Sequence, residues 1–335
     1  MSGSGNLPPD LIKVVAERLD PKEFVILRAV YPSALAGEYN AQTRPPLLIS
    51  FSDAESLFWS MSRVEEVYRA PLPIAPSLSG LGLLCYQGWM AIAQEGQLKL
   101  FNPISCIIIE LPGSEKLCPV YKFALSSNPS VSDEYVIFVH VQPDTFAFYD
   151  PRKRAWTTET YRPKSQIMDL IHFKGRFVAL DENRRVITFN PQDNFNIQEN
   201  QVIPNVKGST TPHLVECSGS LLVVWHKNDR FSWDSKTEFR VYKVDLDERA
   251  STEEKSLGSA SVFLSSGCSF SVEFNAQSRL PEIRPNRIYC VDFFRHWDRK
   301  ILSYNMEDRR IETHPELMPL VAGTVSTPRW IQPTF

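Results

Sequence analysis

Six short marks recur along this chain, and each one ends an apolar run and begins a turn. They are Phe58-Trp59-Ser60, Phe101-Asn102-Pro103, Tyr149-Asp150-Pro151, Phe189-Asn190-Pro191, Val244-Asp245-Leu246 and Tyr304-Asn305-Met306. Successive marks lie 43, 48, 40, 55 and 60 residues apart, which is near the period of a four-stranded propeller blade. A single blade cannot bury both of its faces, so such units must stack and close into a ring. The spacing predicts a β-propeller of about six blades.

The pattern of residue types from about Arg44 onward fits this prediction. Short β-branched and aromatic runs alternate with Gly, Asn, Asp and Pro, and the 25 prolines suit a loop-rich β body. The run Tyr135-Val136-Ile137-Phe138-Val139 is apolar throughout, so we expect it to form an inner strand covered by neighbouring blades. A β-sandwich is the alternative, but it needs only about 100 residues and seven strands. The body is far longer and supplies many more strand-like runs.

The C-terminal segment Pro328-Arg329-Trp330-Ile331-Gln332-Pro333 contains a strongly apolar pair. Trp330 and Ile331 have little reason to exist on a free tail. Because the first and last blades of a propeller must meet, we expect this segment to complete a sheet at one end of the body, with Trp330 buried.

Residues 6–40 follow a helical pattern instead. Apolar residues recur at helical spacing at Leu11, Ile12, Val15 and Leu19. Asp20-Pro21 ends this helix, since proline disfavours helical backbone in the residue before it, and a second amphipathic stretch follows. The pattern predicts two or three short helices between Leu7 and Tyr39. The expected organisation is a flexible N-terminus at 1–5, a helical segment at 6–40 and a β-propeller at 44–335.

The helical segment resembles an F-box. The resemblance lies in Leu7-Pro8-Pro9-Asp10-Leu11-Ile12-Lys13-Val14-Val15-Ala16-Glu17-Arg18-Leu19. It implies docking onto a Skp-type adaptor, and the residues expected to bind the adaptor are the apolar ones of the segment: Leu7, Pro8, Leu11, Ile12, Val15, Leu19, Phe24, Leu27 and Val30. Ala34 departs from the pattern, because F-boxes usually carry tryptophan there.

The body resembles the kelch-like domain that follows F-boxes in a large plant family, the type found in KIB proteins. The matching segments are Leu98-Lys99-Leu100-Phe101-Asn102-Pro103, Lys122-Phe123-Ala124-Leu125-Ser126-Ser127-Asn128-Pro129, Leu214-Val215-Glu216-Cys217-Ser218-Gly219-Ser220-Leu221-Leu222, Phe239-Arg240-Val241-Tyr242-Lys243-Val244-Asp245, Asn286-Arg287-Ile288-Tyr289-Cys290-Val291-Asp292 and Pro328-Arg329-Trp330-Ile331-Gln332-Pro333. The resemblance implies a non-catalytic specificity subunit of an SCF-type E3 ubiquitin ligase. The adaptor would link the chain to cullin and RING subunits, and the propeller would hold a target protein for ubiquitination.

Composition limits the kinds of partner that the chain can bind and the compartments in which it can reside. The 36 basic and 39 acidic residues are interspersed, so no polybasic patch suits nucleic acid. The six cysteines are scattered without a Cys-x-x-Cys pair and without a secretion signal, which favours reduced core residues over disulfides or zinc ligands. No apolar run is long enough to span a membrane. We therefore expect a location in the cytoplasm, the nucleus or both.

Catalytic and cofactor motifs are missing from the sequence. It contains no phosphate-binding Gly-x-x-x-x-Gly-Lys-Ser/Thr, no His-Glu-x-x-His and no Gly-x-Ser-x-Gly, so we expect no catalytic residues, no metal and no cofactor. A hydrolytic propeller stays open only through aspartates that could converge on the axis: Asp144, Asp150, Asp181, Asp229, Asp292 and Asp298. A further alternative, favoured by Ala34, is a propeller scaffold with a degenerate F-box that acts outside a ligase.

Overall fold

The structure is a computed structural model, and it describes most of the propeller and part of the segment before it. The described residues are 7–16, 19, 23–24, 27, 30–31, 35, 46–51, 55–61, 63–71, 84–94, 96–114, 117, 119–142, 144–163, 165–191, 196–201, 203–204, 210–227, 238–265, 267–275, 283–295, 298–317 and 328–333. Within them the chain forms one α-helix, α1 (Pro9–Ala16), and 25 strands in six sheets. The predicted mainly β, six-bladed propeller is confirmed.

The first three blades each contain four antiparallel strands. Blade 1 consists of β1 (Leu47–Phe51), β2 (Glu55–Ser60), β3 (Arg63–Pro71) and, from the far end of the chain, β25 (Arg329–Ile331). Blade 2 consists of β4 (Leu84–Tyr86), β5 (Trp89–Gln94), β6 (Gln97–Phe101) and β7 (Ile108–Glu110). Blade 3 consists of β8 (Lys122–Leu125), β9 (Ile137–Gln142), β10 (Thr145–Asp150) and β11 (Ala155–Thr160).

Blades 4 and 5 repeat this arrangement, and blade 6 extends it. Blade 4 consists of β12 (Ile167–Phe173), β13 (Arg176–Asp181), β14 (Arg185–Asn190) and β15 (Asn196–Gln201). Blade 5 consists of β16 (Thr210–Cys217), β17 (Ser220–Lys227), β18 (Glu238–Asp245) and β19 (Ala250–Glu254). Blade 6 consists of β20 (Ala260–Ser265), β21 (Cys268–Glu273), β22 (Arg287–Arg295), β23 (Asp298–Asn305) and β24 (Ile311–Thr313), followed by a 3-10 turn at Pro315–Leu317.

All six sequence marks end the penultimate strand of a blade, where the chain turns toward the outermost strand. At four of the marks the turn is fixed by local chemistry, because Asn and Asp side chains accept hydrogen bonds from the backbone two or three residues on. Asn102 Oδ1 accepts from the N–H groups of Ile104 and Ser105, at 3.0 and 3.1 Å. Asp150, Asp245 and Asn305 accept equivalent bonds in blades 3, 5 and 6. The repeat is therefore a repeated turn.

The apolar run at Tyr135–Val139 lies in an inner strand of its sheet, as predicted, and Ile137, Phe138 and Val139 are fully buried. The run contributes to β9, which is the second strand of blade 3, and the innermost strand is β8. The innermost strands of adjacent blades contact one another around the axis, as β4 does with β8, β8 with β12 and β12 with β16. A second strand is covered on both faces by neighbouring blades, whereas an inner strand also faces the axis. The second strand is therefore the more apolar of the two.

The two ends of the chain meet in blade 1, as predicted from the C-terminal segment. β25 pairs antiparallel with β1, with Leu48 opposite Trp330 and Leu47 opposite Ile331. The Trp330 side chain is fully buried, and its ring meets Phe263 of blade 6 edge to face at 5.3 Å between centroids. The tail thus supplies the innermost strand of the first blade and joins it to the last.

Blade 6 departs from the regular order. Its sheet runs β21–β20–β22–β23–β24, so the chain enters at the second position and then turns back to form the innermost strand. As a consequence, β20 and β22 pair in parallel, with Val262 opposite Ile288. No helix within the described residues is long and apolar enough to cross a membrane.

Candidate functional site

The helix α1 begins where its prolines place it. Pro9 is its first residue, a position in which the missing N–H removes no hydrogen bond. The carbonyl of Pro8 accepts from the N–H groups of Leu11 and Ile12 at 3.0 and 3.1 Å. Asp10 lies in the first turn, where a negative charge is favoured by the helix dipole.

One face of α1 is buried. Ile12 and Ala16 lie one turn apart and form a small core with Phe24 and Leu35. Leu19, Leu27 and Tyr31 pack around this core. Glu23, Phe24, Leu27 and Val30 also have helical backbone. Most of the further helices expected up to Tyr39 fall outside the described residues.

The opposite face of α1 is apolar and open to solvent. Leu11 is 51% exposed and Val15 is 41% exposed, and Leu7 and Pro8 are exposed just ahead of the helix. Val14 was not among the predicted residues, yet it is 47% exposed and lies one turn from Leu11. Its position three residues after Leu11 is helical spacing, and this spacing could have shown from the sequence that Val14 shares a face with Leu11. We call the group of Leu7, Pro8, Leu11, Val14 and Val15 the α1 stripe.

The nine residues predicted to bind an adaptor are thus divided by the fold. Leu7, Pro8, Leu11, Val15 and Val30 are exposed. Leu19 and Leu27 are half-buried, whereas Ile12 and Phe24 lie in the small core. The side chains that remain open to a partner are concentrated on the α1 stripe, and the buried ones hold the helix in place.

The helical segment packs against blade 2 through Ile104. This side chain contacts both the small core under α1 and the larger core shared by blades 1, 2 and 6. Its turn is fixed by Asn102, whose side chain is completely buried and whose N–H donates to the carbonyl of Ile107 at 2.9 Å. Ile104 is therefore a rigid point of contact between helix and propeller.

Polar side chains from consecutive inner strands line the propeller axis. Asp169 of β12 accepts from the Leu214 N–H at 2.8 Å and lies 3.8 Å from the Lys122 ammonium of β8. Burial raises the pKa of Asp169, and Lys122 opposes this shift. His213 Nδ1 of β16 and Ser269 Oγ of β21 share a hydrogen bond of 3.1 Å. These bonds tie neighbouring blades together at the centre.

Two buried histidines of blade 5 are held neutral. Burial lowers the pKa of His213 to about 3, and Lys122 adds to the shift. Burial also lowers the pKa of His226 to about 3, and the ring of His226 stacks on Phe239 at 4.6 Å. Burial therefore favours the neutral form of both imidazoles near neutral pH.

A polar cavity of about 150 Å³ opens where the inner strands end. Tyr86, Gln87, Glu216, Ser269 and Gln332 are among its lining residues. Burial raises the pKa of Glu216, and nearby Glu273 raises it further. The lining offers hydrogen-bonding groups and negative charge for contact with another molecule.

The aspartates considered for an axial site serve turns and ion pairs where they are described. Asp150 pairs with Arg152, and Asp144 lies 3.5 Å from Arg162. The buried carboxylate of Asp181 accepts from Arg185 Nε at 2.7 Å. Asp229 and the side chains of Asp292 and Asp298 lie outside the described residues. Within the described part of the chain, no group of three or more His, Cys, Asp or Glu residues is placed to hold a metal ion.

Comparison with curated proteins finds plant relatives. The F-box/kelch-repeat protein At1g57790 of Arabidopsis thaliana is 24% identical over 281 residues, which cover 78% of this chain and 76% of that protein. The putative F-box protein At5g60060 of the same plant is 38% identical over 74 residues, or 20% of this chain and 19% of the relative.

The similarity of the chain to solved structures is distant. The Neurospora crassa Pan2 WD40 domain is 15% identical with a TM-score of 0.41, covering 82% of this chain and 76% of that one. A quinoprotein alcohol dehydrogenase-like protein of Bacteroides thetaiotaomicron is 10% identical with a TM-score of 0.45, covering 88% and 78%. The model of the KIB1-4 β-propeller family matches residues 56–311, a range that contains all six marks. The chain therefore belongs to the KIB1-4 β-propeller family.

Proposed function

We propose that this chain is the substrate-recognition subunit of an SCF-type E3 ubiquitin ligase. Its N-terminal segment binds a Skp-type adaptor, which brings cullin and RING subunits, and its propeller holds a target protein. The chain holds the target protein close to the site of ubiquitin transfer and supplies no catalytic group of its own. Its relatives carry F-box and kelch-repeat names, which support this proposal.

The observation that carries the proposal is the α1 stripe. A short helix that only capped the propeller would need one apolar face, and α1 already buries Ile12 and Ala16 on that face. The stripe places further apolar side chains in solvent on the other side of the same helix. A cluster of this kind on a fixed helix is typical of a surface that a partner covers.

Co-purification with a Skp-type adaptor tests the adaptor-binding step. Changing Leu7 and Leu11 together to Ala should abolish capture of the adaptor. Truncation of an interface anchor costs about 2 kcal/mol or more, and about 1.4 kcal/mol is tenfold in affinity, so the pair should lower affinity by several hundredfold or more. Circular dichroism melting should show an unchanged propeller, because both side chains are exposed.

Val131 provides the matched control. It is 73% exposed in blade 3, far along the chain from α1, so Val131→Ala should leave adaptor capture unchanged. Undiminished capture by the Leu7 and Leu11 variant would show that another surface carries the contact. If the unaltered chain captures no adaptor but still retains a target protein on its propeller, the scaffold alternative replaces the ligase function.

A further inference from the structure

The mouth of the propeller axis is a polar cavity to which most of the blades contribute. Blades 1, 2, 4, 5 and 6 supply residues that lie in an innermost strand or directly after one: Gln332, Tyr86, Ile171, Glu216 and Ser269. Its volume is about 150 Å³. An apolar cavity of about 150 Å³ in another protein holds one benzene molecule. One side chain of a partner can therefore enter this mouth, whereas a folded domain cannot.

A second cavity, of about 300 Å³, lies between blades 4 and 5 and adjoins the first. Gly219 lines both cavities. Its φ is positive, at 69°, and a Cβ added there would meet nothing within 4 Å, so the passage over this residue is open. We call the two cavities together the axial groove, with its inner end at the axis and its outer end between the blades.

The axial groove opens on the face of the propeller that carries the helical segment. β16 and β18 both pair antiparallel with β17, so their ends at Cys217 and Asp245 lie on one face. Asp245 belongs to the fifth mark and lines the outer end of the groove. Ile104, which packs under α1, lies in the equivalent turn of blade 2. Because blades 2 and 5 are opposite in a ring of six, a molecule in the groove would lie across the axis from α1 on the same face.

The inner end of the axial groove is acidic. Its described lining contains the carboxylates of Glu216 and Glu273 and no Lys or Arg side chain. Neither carboxylate forms an ion pair with a described residue, and Lys174 acts on Glu216 only from beyond ion-pair distance. Burial raises the pKa of Glu216, and the charge of Glu273 raises it further, against Lys174. A cation held between the two carboxylates would relieve their repulsion.

The outer end of the axial groove presents basic side chains. Lys174 and Lys243 are exposed, and neither forms an ion pair with a described carboxylate. The Lys174 ammonium lies 5.1 Å from the centre of the Phe173 ring, in a cation–π contact beside the groove. Arg176 is already paired with Asp247 at 3.2 Å. Within the described lining, the two lysines are therefore the cations open to a negatively charged partner.

We propose that the axial groove binds an extended segment of the target protein, with a Lys or Arg side chain in the inner end and an acidic side chain against Lys174 and Lys243. This inference rests on the proposed function, in which the propeller holds a target. The opposite charges of the two ends fix the direction of the segment, because the reversed direction would place like charges together. A wholly basic or wholly acidic segment would be repelled at one end.

Selection from a phage-displayed library of random peptides, with the full chain as bait, tests the proposal. Enriched peptides should combine a Lys or Arg with an Asp or Glu at a fixed separation. Changing Glu216 and Glu273 together to Gln should weaken binding of a synthetic copy by about tenfold or more in fluorescence anisotropy, as expected for the loss of charged hydrogen bonds. Lys174→Ala with Lys243→Ala should remove the selection for the acidic residue and keep that for the basic one.

Glu253→Gln and Lys255→Ala are the matched controls. Both residues are exposed on blade 5, Glu253 in its outermost strand and Lys255 directly after it, and neither lines the groove. These variants should bind the selected peptide as tightly as the unaltered chain. Melting followed by circular dichroism should show that all the variants remain folded.

Three results would overturn the proposal: no peptide is enriched, the enriched peptides lack either charge, or the variant without both glutamates binds as tightly as the unaltered chain. Adaptor capture is measured separately on the same preparations. A chain that captures the adaptor but selects no such peptide retains the proposed function and refutes this inference. A chain that selects such peptides but captures no adaptor supports the groove and refutes the ligase function.

Discussion

The closing strand offers the most direct test of how this ring is held shut. Trp330→Ala removes a side chain that is fully buried between the first and last blades. Its ring contacts Phe263, and its backbone N–H donates to Ser265 Oγ of blade 6 at 3.1 Å. The substitution keeps that backbone bond and the pairing with Leu48 but empties the space that joins the blades. It therefore isolates the packing contribution from the strand pairing.

The expected loss in the free energy of unfolding is large for a single substitution. Truncating a buried tryptophan to alanine costs about 3–5 kcal/mol, out of a typical free energy of unfolding of about 5–15 kcal/mol. For a domain of this size, about 1 kcal/mol corresponds to roughly 2 °C in melting temperature, so a fall of roughly 6–10 °C is expected. Deletion of residues 328–335 should lower the melting temperature further, because it also exposes the backbone edge of β1.

Thermal melting followed by circular dichroism and by tryptophan fluorescence measures this loss. Trp156→Ala is the control, since Trp156 lies half-exposed on the outermost strand of blade 3 and should cost much less. A melting temperature for Trp330→Ala within about 1 °C of the unaltered chain would refute the reasoning. Closure would then depend on contacts other than the tryptophan.

Two further perturbations follow from buried polar groups. Because burial lowers the folded-state pKa of His213 and His226 to about 3, against about 6.5 when unfolded, the unfolded chain binds more protons in acid, and stability is lost as pH falls below about 6.5. Between about pH 7 and pH 5.5 the two histidines together should remove about 2.5 kcal/mol from the free energy of unfolding measured with urea. His213→Gln should halve that difference. A variant whose stability depends on pH as strongly as that of the unaltered chain would contradict the assignment. Asp181→Ala leaves the buried guanidinium of Arg185 without its closest carboxylate and should cost about 3–5 kcal/mol by urea unfolding, whereas a loss below about 1 kcal/mol would contradict a stabilising pair.

The repeat was predictable from the sequence because it rests on local chemistry. A side chain such as Asn102 or Asp245 turns the chain by accepting hydrogen bonds from the next few residues, and this needs no knowledge of the rest of the fold. Hairpins between first and second strands have the same local origin. Lys174-Gly175 and Ser218-Gly219 both adopt positive φ at each residue, which suits a two-residue hairpin turn.

What the sequence did not predict depends on contacts between distant elements. The order of strands in blade 6 cannot be inferred from the spacing of the marks, because β20 and β21 have the same length and the spacing does not show which of them lies innermost. The division of the adaptor-binding candidates has a similar cause. Ile12 and Leu11 are adjacent apolar residues, and only the packing of Ile12 with Phe24 shows which one faces inward. Val14 was missed because the family resemblance, not the exposed face, selected the residues.

The location of the helical segment connects its proposed role to the closure of the ring. It lies directly before blade 1 in sequence, and blade 1 is the blade built from both ends of the chain. It also contacts blade 2 through Ile104, whose side chain packs on the core that contains Trp330 and Phe263. A change that loosens β25 therefore disturbs the core on which the helical segment rests. Because the α1 stripe faces away from that core, affinity for the proposed adaptor should survive such a change, while the orientation of that adaptor relative to the propeller should not.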